Sequence, residues 1–221
     1  MKGSKKGFTL VELIVVIAII GVLAAILVPT VMGWVRAAKI RSDETSAKRL
    51  YETINLLITN DDTAYLSLHA NSAMHNNAHR NTTRYDDITV NTESGSETYK
   101  LAVVARLGGK QGLTGTPSNK VQQGNDEAED SAIALTDAIK KNITGIKDPQ
   151  VLLPIKANKI GGQEVDSWCI CVRLEDNPSV SSIQSLKETD EIEIWTFKRS
   201  EGWKPKFRVY PNPCKEYQDL D

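Results

Sequence analysis

One acidic residue, Glu12, stands at the border of a long apolar stretch. The chain has 221 residues, and the 23 residues from Leu13 to Val35 carry no charge. A carboxylate in or near hydrocarbon is costly, and such groups are typically retained because they have a partner. No basic residue lies within the stretch. The sequence therefore predicts that Glu12 pairs with a positive group from another chain.

The apolar stretch is long enough to cross a membrane as a single helix. A helix of this length spans roughly 35 Å, and the hydrocarbon core of a bilayer is about 30 Å thick. Three lysines precede the stretch. Because positive charge favours the cytoplasmic side, the residues after Arg36 are expected outside. A cleaved secretory signal peptide, a plain N-terminal anchor and a buried core helix are the alternatives, and none of them explains Glu12.

The composition of the chain excludes several classes of protein. Apolar residues make up 40% of the chain, charged residues make up 25%, and the formal net charge is −1. These values exclude a disordered chain, a multi-span membrane protein and a strongly basic nucleic-acid binder. Lys204, Lys206 and Arg208 are predicted on one strand face. Glu193 offsets their charge, so this face is interpreted as solvated rather than DNA-binding.

No catalytic constellation is recognisable in the sequence. It contains no serine nucleophile elbow, no phosphate-binding loop and no His-Glu-x-x-His motif. His75 and His79 lie four residues apart, but no cysteine or acid is adjacent, so both are predicted to be solvated loop residues. The sequence therefore predicts a protein that is not an enzyme and that has neither a cofactor nor a metal site.

The predicted elements begin with a long helix. Apolar residues at three- and four-residue spacing extend this helix to about Ile58, and residues 60–62 end it. Its C-terminal half is expected to pack on a sheet. The other predicted elements are strands at 99–107 and 168–175, loops at 71–81 and 108–125, and a second helix at 126–144.

The C-terminal part of the chain predicts a β-hairpin. Residues 191–198 and 203–210 form its two strands, and four residues connect them. Pro205 has no N–H group to donate, so the second strand is expected at an edge of the sheet. The predicted cross-strand pairs are Ile192 with Val209, Ile194 with Phe207 and, on the other face, Glu193 with Arg208.

The residues around Glu12 resemble the N-terminus of a known family. The sequence Lys6-Gly7-Phe8-Thr9-Leu10-Val11-Glu12-Leu13, followed by the apolar stretch and Pro29, is similar to the start of type IV pilins and of the related pseudopilins of type II secretion. The likeness comprises a short basic leader, a glycine before an aromatic residue, and a glutamate at the fifth position after that glycine. It covers residues 1–35 closely and residues 60–221 hardly at all.

The resemblance implies roles for several of these residues. A prepilin peptidase would cleave between Gly7 and Phe8 and would methylate the new amino group of Phe8. Glu12 would pair with that amino group on a neighbouring subunit, and Pro29 would mark a kink in the helix. The implied partners are other subunits in a homo- or hetero-oligomeric pilin filament and an assembly platform in the inner membrane. No nucleic-acid partner is implied.

The resemblance also implies a fold, a domain organisation and a location. The fold would be a pilin-like α+β fold, with a long N-terminal helix on an antiparallel sheet and a second short helix. A duplicated helix-plus-sheet body is the alternative to a single domain. The expected parts are a leader peptide at 1–7, a transmembrane and filament-core helix at 8–35, and an extracytoplasmic domain at 36–221. The chain would cross the cytoplasmic membrane once, N-terminus inside, and would lie in a cell-surface pilus after assembly.

The function that this resemblance predicts is a structural subunit of a type IV pilus, major or minor, with cell adhesion among its roles. One alternative is a pseudopilin of a type II secretion system. The other is a monomeric, membrane-anchored binding module. Glu12 distinguishes the monomeric module from the pilus subunit and the pseudopilin, because a monomeric anchor needs no partner for its carboxylate.

The three cysteines are candidates for a disulfide. Cys169 and Cys171 project from the same face of a strand, roughly 6.5–7 Å apart, so a bond between them is disfavoured. A disulfide is permitted outside the membrane, and many pilins close their C-terminal region with one. The resemblance therefore adds a candidate bridge from Cys169 or Cys171 to Cys214. Three reduced thiols and a three-cysteine metal site are the alternatives, and the odd count departs from the pilin pattern.

Overall fold

The computed structural model describes residues 7–60, 83–108, 138–139, 141–143, 153–180, 182–183, 186–201 and 204–219. The predicted loop at 71–81 with both of its histidines, nearly all of the loop at 108–125 and most of the helix at 126–144 lie outside these residues. Residues 138, 139, 141 and 142 are helical. The chain divides into two compact parts, residues 1–38 and residues 39–219, and each is described by itself.

The first helix, α1, runs from Leu10 to Asn60 and contains 51 residues. At 1.5 Å per residue it is about 75 Å long. It ends at Asn60, as the polar residues there predict. It is continuous through Pro29, although proline cannot donate to the carbonyl one turn earlier. The kink at Pro29 stays a prediction.

In the first part of the chain, α1 is apolar on all sides. Every residue from Gly7 to Val35 is exposed. The exposed side chains include large ones, such as Phe8 at 87% and Trp34 at 70%. Within the described residues, α1 is the one helix long and apolar enough to cross a membrane. An apolar surface of this extent needs a cover of lipid or protein.

The second part of the chain contains a five-stranded antiparallel sheet. The order of its strands is β1-β2-β5-β6-β7. Their bounds are Thr83–Thr92 for β1, Gly95–Gly108 for β2, Ser167–Leu174 for β5, Glu188–Phe197 for β6 and Phe207–Tyr210 for β7. The described residues of the body also contain a small ribbon of β3 (Lys159–Ile160) and β4 (Gln163–Glu164) and a short helix α2 (Lys215–Gln218). These elements confirm the predicted α+β class.

One face of the sheet packs against α1. The ring of Tyr51 on α1 lies 4.9 Å from the ring of Tyr210 on β7, and Tyr210 pairs with Ile194 on β6. The end of β7 therefore lies beside the helix at Tyr51. Alternating spacings of three and four residues produce a one-sided buried stripe on α1. Its members are Ile40, Asp43, Ala47, Leu50, Ile54 and Leu57.

The central strand, β5, is buried on both faces. Of its eight residues only Arg173 keeps appreciable exposure. Because β5 lies between β2 and β6, both of its backbone edges are hydrogen-bonded to neighbouring strands. Direct cross-strand pairing places Cys171 beside Glu193 and Cys169 beside Trp195 on β6. These four residues share the face of the sheet opposite to Ile194.

The hairpin of β6 and β7 is present, but its predicted register is wrong. Ile194 pairs with Tyr210 rather than with Phe207, and Phe207 pairs with Thr196. The connection is longer than four residues, because the chain makes a 3₁₀ turn at Arg199–Glu201 and β7 begins only at Phe207. The predicted contact between Glu193 and Arg208 nevertheless forms, at 3.2 Å. The edge position of β7 is confirmed.

Asp43 is a charged residue in the otherwise apolar stripe of α1. Its side chain is fully buried. One carboxylate oxygen accepts a hydrogen bond from the backbone N–H of Lys156 at 2.8 Å, and the other accepts one from Ala157 at 2.7 Å. These two bonds attach the segment before β3 to the helix. Burial raises the pKa of Asp43 to about 6, although both N–H groups favour the charged form.

We expect this carboxyl group to make the stability of the body depend on pH. Its pKa is about 6 in the folded protein and about 4 in an unfolded chain. Between these values the folded state binds more protons, so the free energy of unfolding falls as the pH rises. The contribution of Asp43 should decrease by roughly 3 kcal/mol across this interval and stay constant above it.

Denaturant unfolding of the full chain in detergent, followed by tryptophan fluorescence between pH 4 and 7, measures this dependence. The difference between the wild-type protein and Asp43→Asn should change across the interval. The difference between the wild-type protein and Asp86→Asn should not, because Asp86 is exposed. Parallel pH profiles for wild type and Asp43→Asn would contradict the assignment.

Candidate functional site

The first candidate site is the segment that leads into α1. Gly7, Phe8 and Thr9 are exposed and non-helical, and the helix begins at Leu10. Thr9 donates two hydrogen bonds to the same oxygen of Glu12, Oε2, from its backbone N–H and from its hydroxyl group, both at 2.8 Å. The backbone N–H of Glu12 donates to the Thr9 hydroxyl at 3.3 Å. This arrangement is a capping box, which satisfies N–H groups that the first turn of a helix leaves free.

The capping box gives Glu12 a partner within its own chain, which the sequence interpretation missed. The signal was present as Thr9-x-x-Glu12, the spacing of a capping box. Both donors on Thr9 are neutral, so they hold one carboxylate oxygen but leave its charge unbalanced. Among the described residues no cation forms an ion pair with Glu12. A positive group from another chain stays a prediction.

The second candidate site is a cluster of charged side chains around Glu193 on β6. Glu193 is only 2% exposed. It accepts hydrogen bonds from Tyr99 Oη at 2.8 Å, Arg173 Nε at 2.8 Å, Trp195 Nε1 at 2.7 Å and Arg208 Nη1 at 3.2 Å. A buried carboxylate is stable only with such partners.

Two arginines extend this cluster across the sheet. Arg208 on β7 is 1% exposed. It donates from Nη1 to Tyr99 Oη at 3.0 Å and to Glu97 Oε2 at 3.3 Å. Arg173 donates to the same oxygen of Glu97 at 3.2 Å, and its guanidinium lies 3.9 Å from the centre of the Tyr99 ring. Three strands besides β6 therefore contribute to one polar network.

The electrostatics of the network are those of a structural ion cluster. Burial by itself would lower the pKa of Arg173 and of Arg208, but the charge of Glu193 more than reverses this effect and raises both. Burial raises the pKa of Tyr99, and Glu193 raises it further. At neutral pH the two guanidinium groups thus stay charged and the phenol stays protonated. Such groups hold strands together rather than exchange protons.

The N-terminal segment of the chain is similar to that of known proteins. Residues 2–28 match the family model described as the prokaryotic N-terminal methylation motif. A stretch of 132 residues is 29% identical to the type IV wide pilus major component PilA4 of Thermus thermophilus, and it covers 55% of this chain and 89% of that protein. The chain thus carries this N-terminal motif and is similar to a type IV pilin. No solved structure matches this pilin-like chain.

The matched motif contains three residues for which the sequence predicts a role in processing or assembly. Gly7, Phe8 and Glu12 all lie within residues 2–28, and the resemblance noted there is confirmed. The cleavage, methylation and assembly roles of these residues stay predictions. Similarity to a type IV pilin indicates a structural protein rather than a catalyst.

The prediction that Lys204, Lys206 and Arg208 line one face of a strand is wrong. Both lysines precede β7, where Lys206 pairs with Glu201 and the Lys204 ammonium lies 5.9 Å from the centre of the Tyr85 ring. Arg208 is buried. The three cations therefore do not form a surface that a nucleic acid could contact.

The three cysteines are buried thiols. Cys171 Sγ lies 3.8 Å from Cys169 Sγ, and burial raises the pKa of Cys214, just before α2, to about 12. The candidate bridge to Cys214 is not formed in this structure. Within the described part of the chain, no group of three potential ligands could hold a metal ion. His75 and His79 lie outside that part.

We expect all three thiols to be available for alkylation once the protein is unfolded in the absence of a reductant. The folded protein should react slowly, because each sulfur is buried and the reactive species is the thiolate. Mass spectrometry of the alkylated chain counts the labels. A single label before reduction and three after it would establish a bridge and contradict the structure.

Removal of the Glu193 carboxylate should destabilise the body strongly. Glu193→Ala leaves two guanidinium groups without their shared buried partner, at an expected cost of about 3–5 kcal/mol in the free energy of unfolding. Glu191→Ala is the matched control. Glu191 lies two residues away on β6 and pairs with the same Arg173 at 3.2 Å, but its side chain is 66% exposed.

The control should cost no more than about 1 kcal/mol, as expected for an exposed ion pair. Urea unfolding of both variants measures the two values. Equal effects of the two substitutions would show that the buried network does not stabilise the sheet.

Proposed function

We propose that this chain is a structural subunit of a type IV pilus, assembled through the apolar half of α1. The observation that carries the proposal is the complete exposure of residues 7–35, which include more than 20 consecutive uncharged residues. The bilayer covers this surface before assembly, and the helices of neighbouring subunits cover it in the filament. The related Thermus protein is a major component of a type IV pilus, which favours a pilus over a secretion system.

The proposal includes processing at the peptide bond between Gly7 and Phe8. Both residues are exposed and lie before the first turn of α1. An extended, accessible segment is what a peptidase requires of its substrate, and glycine permits close approach of the enzyme to the backbone. A prepilin peptidase of the cytoplasmic membrane cuts here and methylates Phe8. The chain then spans that membrane once, with Phe8 at the cytoplasmic side.

Glu12 selects the register of assembly. Transfer of the apolar helix from lipid to a filament core is nearly neutral, because its surface is out of water in both places. The unbalanced charge of Glu12 distinguishes correct from incorrect packing, since opposite charges attract strongly in a medium of low dielectric. Its partner is the amino group of Phe8 on a neighbouring subunit. The assembly platform of the inner membrane supplies the work of extraction.

The test compares two substitutions of Glu12 in the native host. Glu12→Gln retains an oxygen that accepts from Thr9 and removes only the charge, whereas Glu12→Ala removes both. If the charge is required, both variants should lose surface filaments by at least about tenfold, the effect of about 1.4 kcal/mol per subunit contact. Glu52→Ala is the matched control on the exposed face of the same helix. The measurement is the ratio of sheared filaments to total subunit by immunoblot.

Thr9→Val completes the experiment, since it removes the hydroxyl of the capping box and leaves the charge of Glu12. Filaments should persist in this variant. Wild-type amounts of filament in Glu12→Gln would contradict the proposed ion pair. Loss of filaments in Thr9→Val together with retention in Glu12→Gln would assign the role of Glu12 to helix capping instead.

A further inference from the structure

A cavity of about 330 Å³ opens in the body beside the charged cluster. It lies where β6 continues beyond the end of β7, because the last paired residue of β6 on that side is Ile194. The volume is at the lower end of the range of small-molecule sites. The lining residues that bear on its chemistry are Tyr51, Glu97, Arg173, Glu191, Glu193 and Asn212.

Two of the groups that line the cavity, Arg173 and Tyr51, are held in place before any ligand arrives. The Arg173 guanidinium is fixed by Glu193 at 2.8 Å and by Glu97 at 3.2 Å. The ring of Tyr51 is supported by that of Tyr210. Side chains that are already ordered lose little entropy when a ligand binds. The cavity is therefore a preorganised polar surface with one aromatic wall.

Several of these groups retain hydrogen-bonding capacity. Glu97 uses Oε2 for both arginines, and its side chain is 45% exposed. Glu191 is 66% exposed and contacts Arg173 through Oε2. Among the described residues, no donor reaches Oε1 of either glutamate, and no partner reaches the side-chain amide of Asn212. The cavity thus offers two carboxylate acceptors and an amide that both donates and accepts.

We propose that this cavity binds a neutral saccharide. Each hydroxyl group of a sugar donates to a carboxylate and accepts from an amide or guanidinium, so neighbouring hydroxyls match planar side chains of this kind. The apolar C–H face of the sugar ring packs on Tyr51. The three carboxylates of the lining are paired with only two guanidinium groups, Arg173 in the lining and Arg208 behind it, so the net negative charge of the cavity repels acidic sugars. The site adds ligand binding to the filament-forming role and does not depend on it.

Saturation-transfer NMR on the full chain tests the proposal. The protein is kept unassembled in a detergent without a sugar headgroup, so the result is independent of whether filaments form. The probes are glucose, galactose, mannose, fucose, N-acetylglucosamine, N-acetylgalactosamine and lactose. N-acetylneuraminic acid serves as the anionic comparison, and Nα-acetyl-lysine amide serves as the cationic one. We expect transfer to at least one neutral sugar and none to the acidic sugar.

Two variants assign the binding to the cavity. Glu191→Gln removes an exposed charged acceptor, and Tyr51→Ala removes the aromatic wall. Each should raise the dissociation constant by about tenfold or more. Glu191→Gln loses a hydrogen bond to a charged group, and Tyr51→Ala loses the packing of the sugar ring on an aromatic face. Glu93→Gln makes the same change at an exposed glutamate in the turn between β1 and β2, and should leave the affinity unchanged. Tryptophan fluorescence verifies that each variant is folded.

Three outcomes would overturn the proposal. The first is the absence of transfer to every neutral sugar. The second is binding that survives Glu191→Gln, which is a surface change that the fold tolerates. The third is transfer to the lysine derivative in place of the sugars, which would make the cavity a site for a cationic side chain.

Discussion

The apolar surface of residues 7–35 is the constraint on which the rest of this molecule depends. Every residue of that segment is exposed in the single chain, and a helical surface of such length cannot remain in water. The segment therefore needs a cover of lipid or protein. In the proposed filament, the few polar atoms at the border of this segment then distinguish correct from incorrect packing of neighbouring helices. Glu12 is bound to Thr9 through one oxygen only, and it carries a charge that uniform apolar packing cannot satisfy.

The same helix changes its pattern where the globular body begins. From Ile40 onward its apolar residues follow spacings of three and four, so one side of α1 is buried and the other is solvated. Asp43 then ties the segment before β3 to this helix through two backbone hydrogen bonds. On the face of the sheet opposite to Ile194, the network around Glu193 joins four strands by charge rather than by apolar contact. The segment before β3 is thus held to the helix through Asp43, and four strands of the sheet are tied together by ion pairs and hydrogen bonds.

Much of this architecture could be predicted from local patterns. The apolar stretch, the end of α1 at Asn60 and the strand around Ile170 each follow from spacing or composition within a short window. The register of β6 and β7 could not be predicted, since it depends on a 3₁₀ turn in the connection. The burial of Arg208 depends on carboxylates from distant strands. The capping box, in contrast, follows from the spacing of Thr9 and Glu12 alone.

Intact mass and N-terminal sequencing of the protein from its native envelope test the central claim most directly. Assembly through the apolar half of α1 requires a chain that begins at Phe8 with a methylated amino group, because that group is the proposed partner of Glu12. The account predicts this start, with the whole apolar helix retained. A start at Ala25 would show that a signal peptidase had removed most of the helix. An uncut Met1 would leave a plain membrane anchor, and either result would contradict the proposed filament subunit.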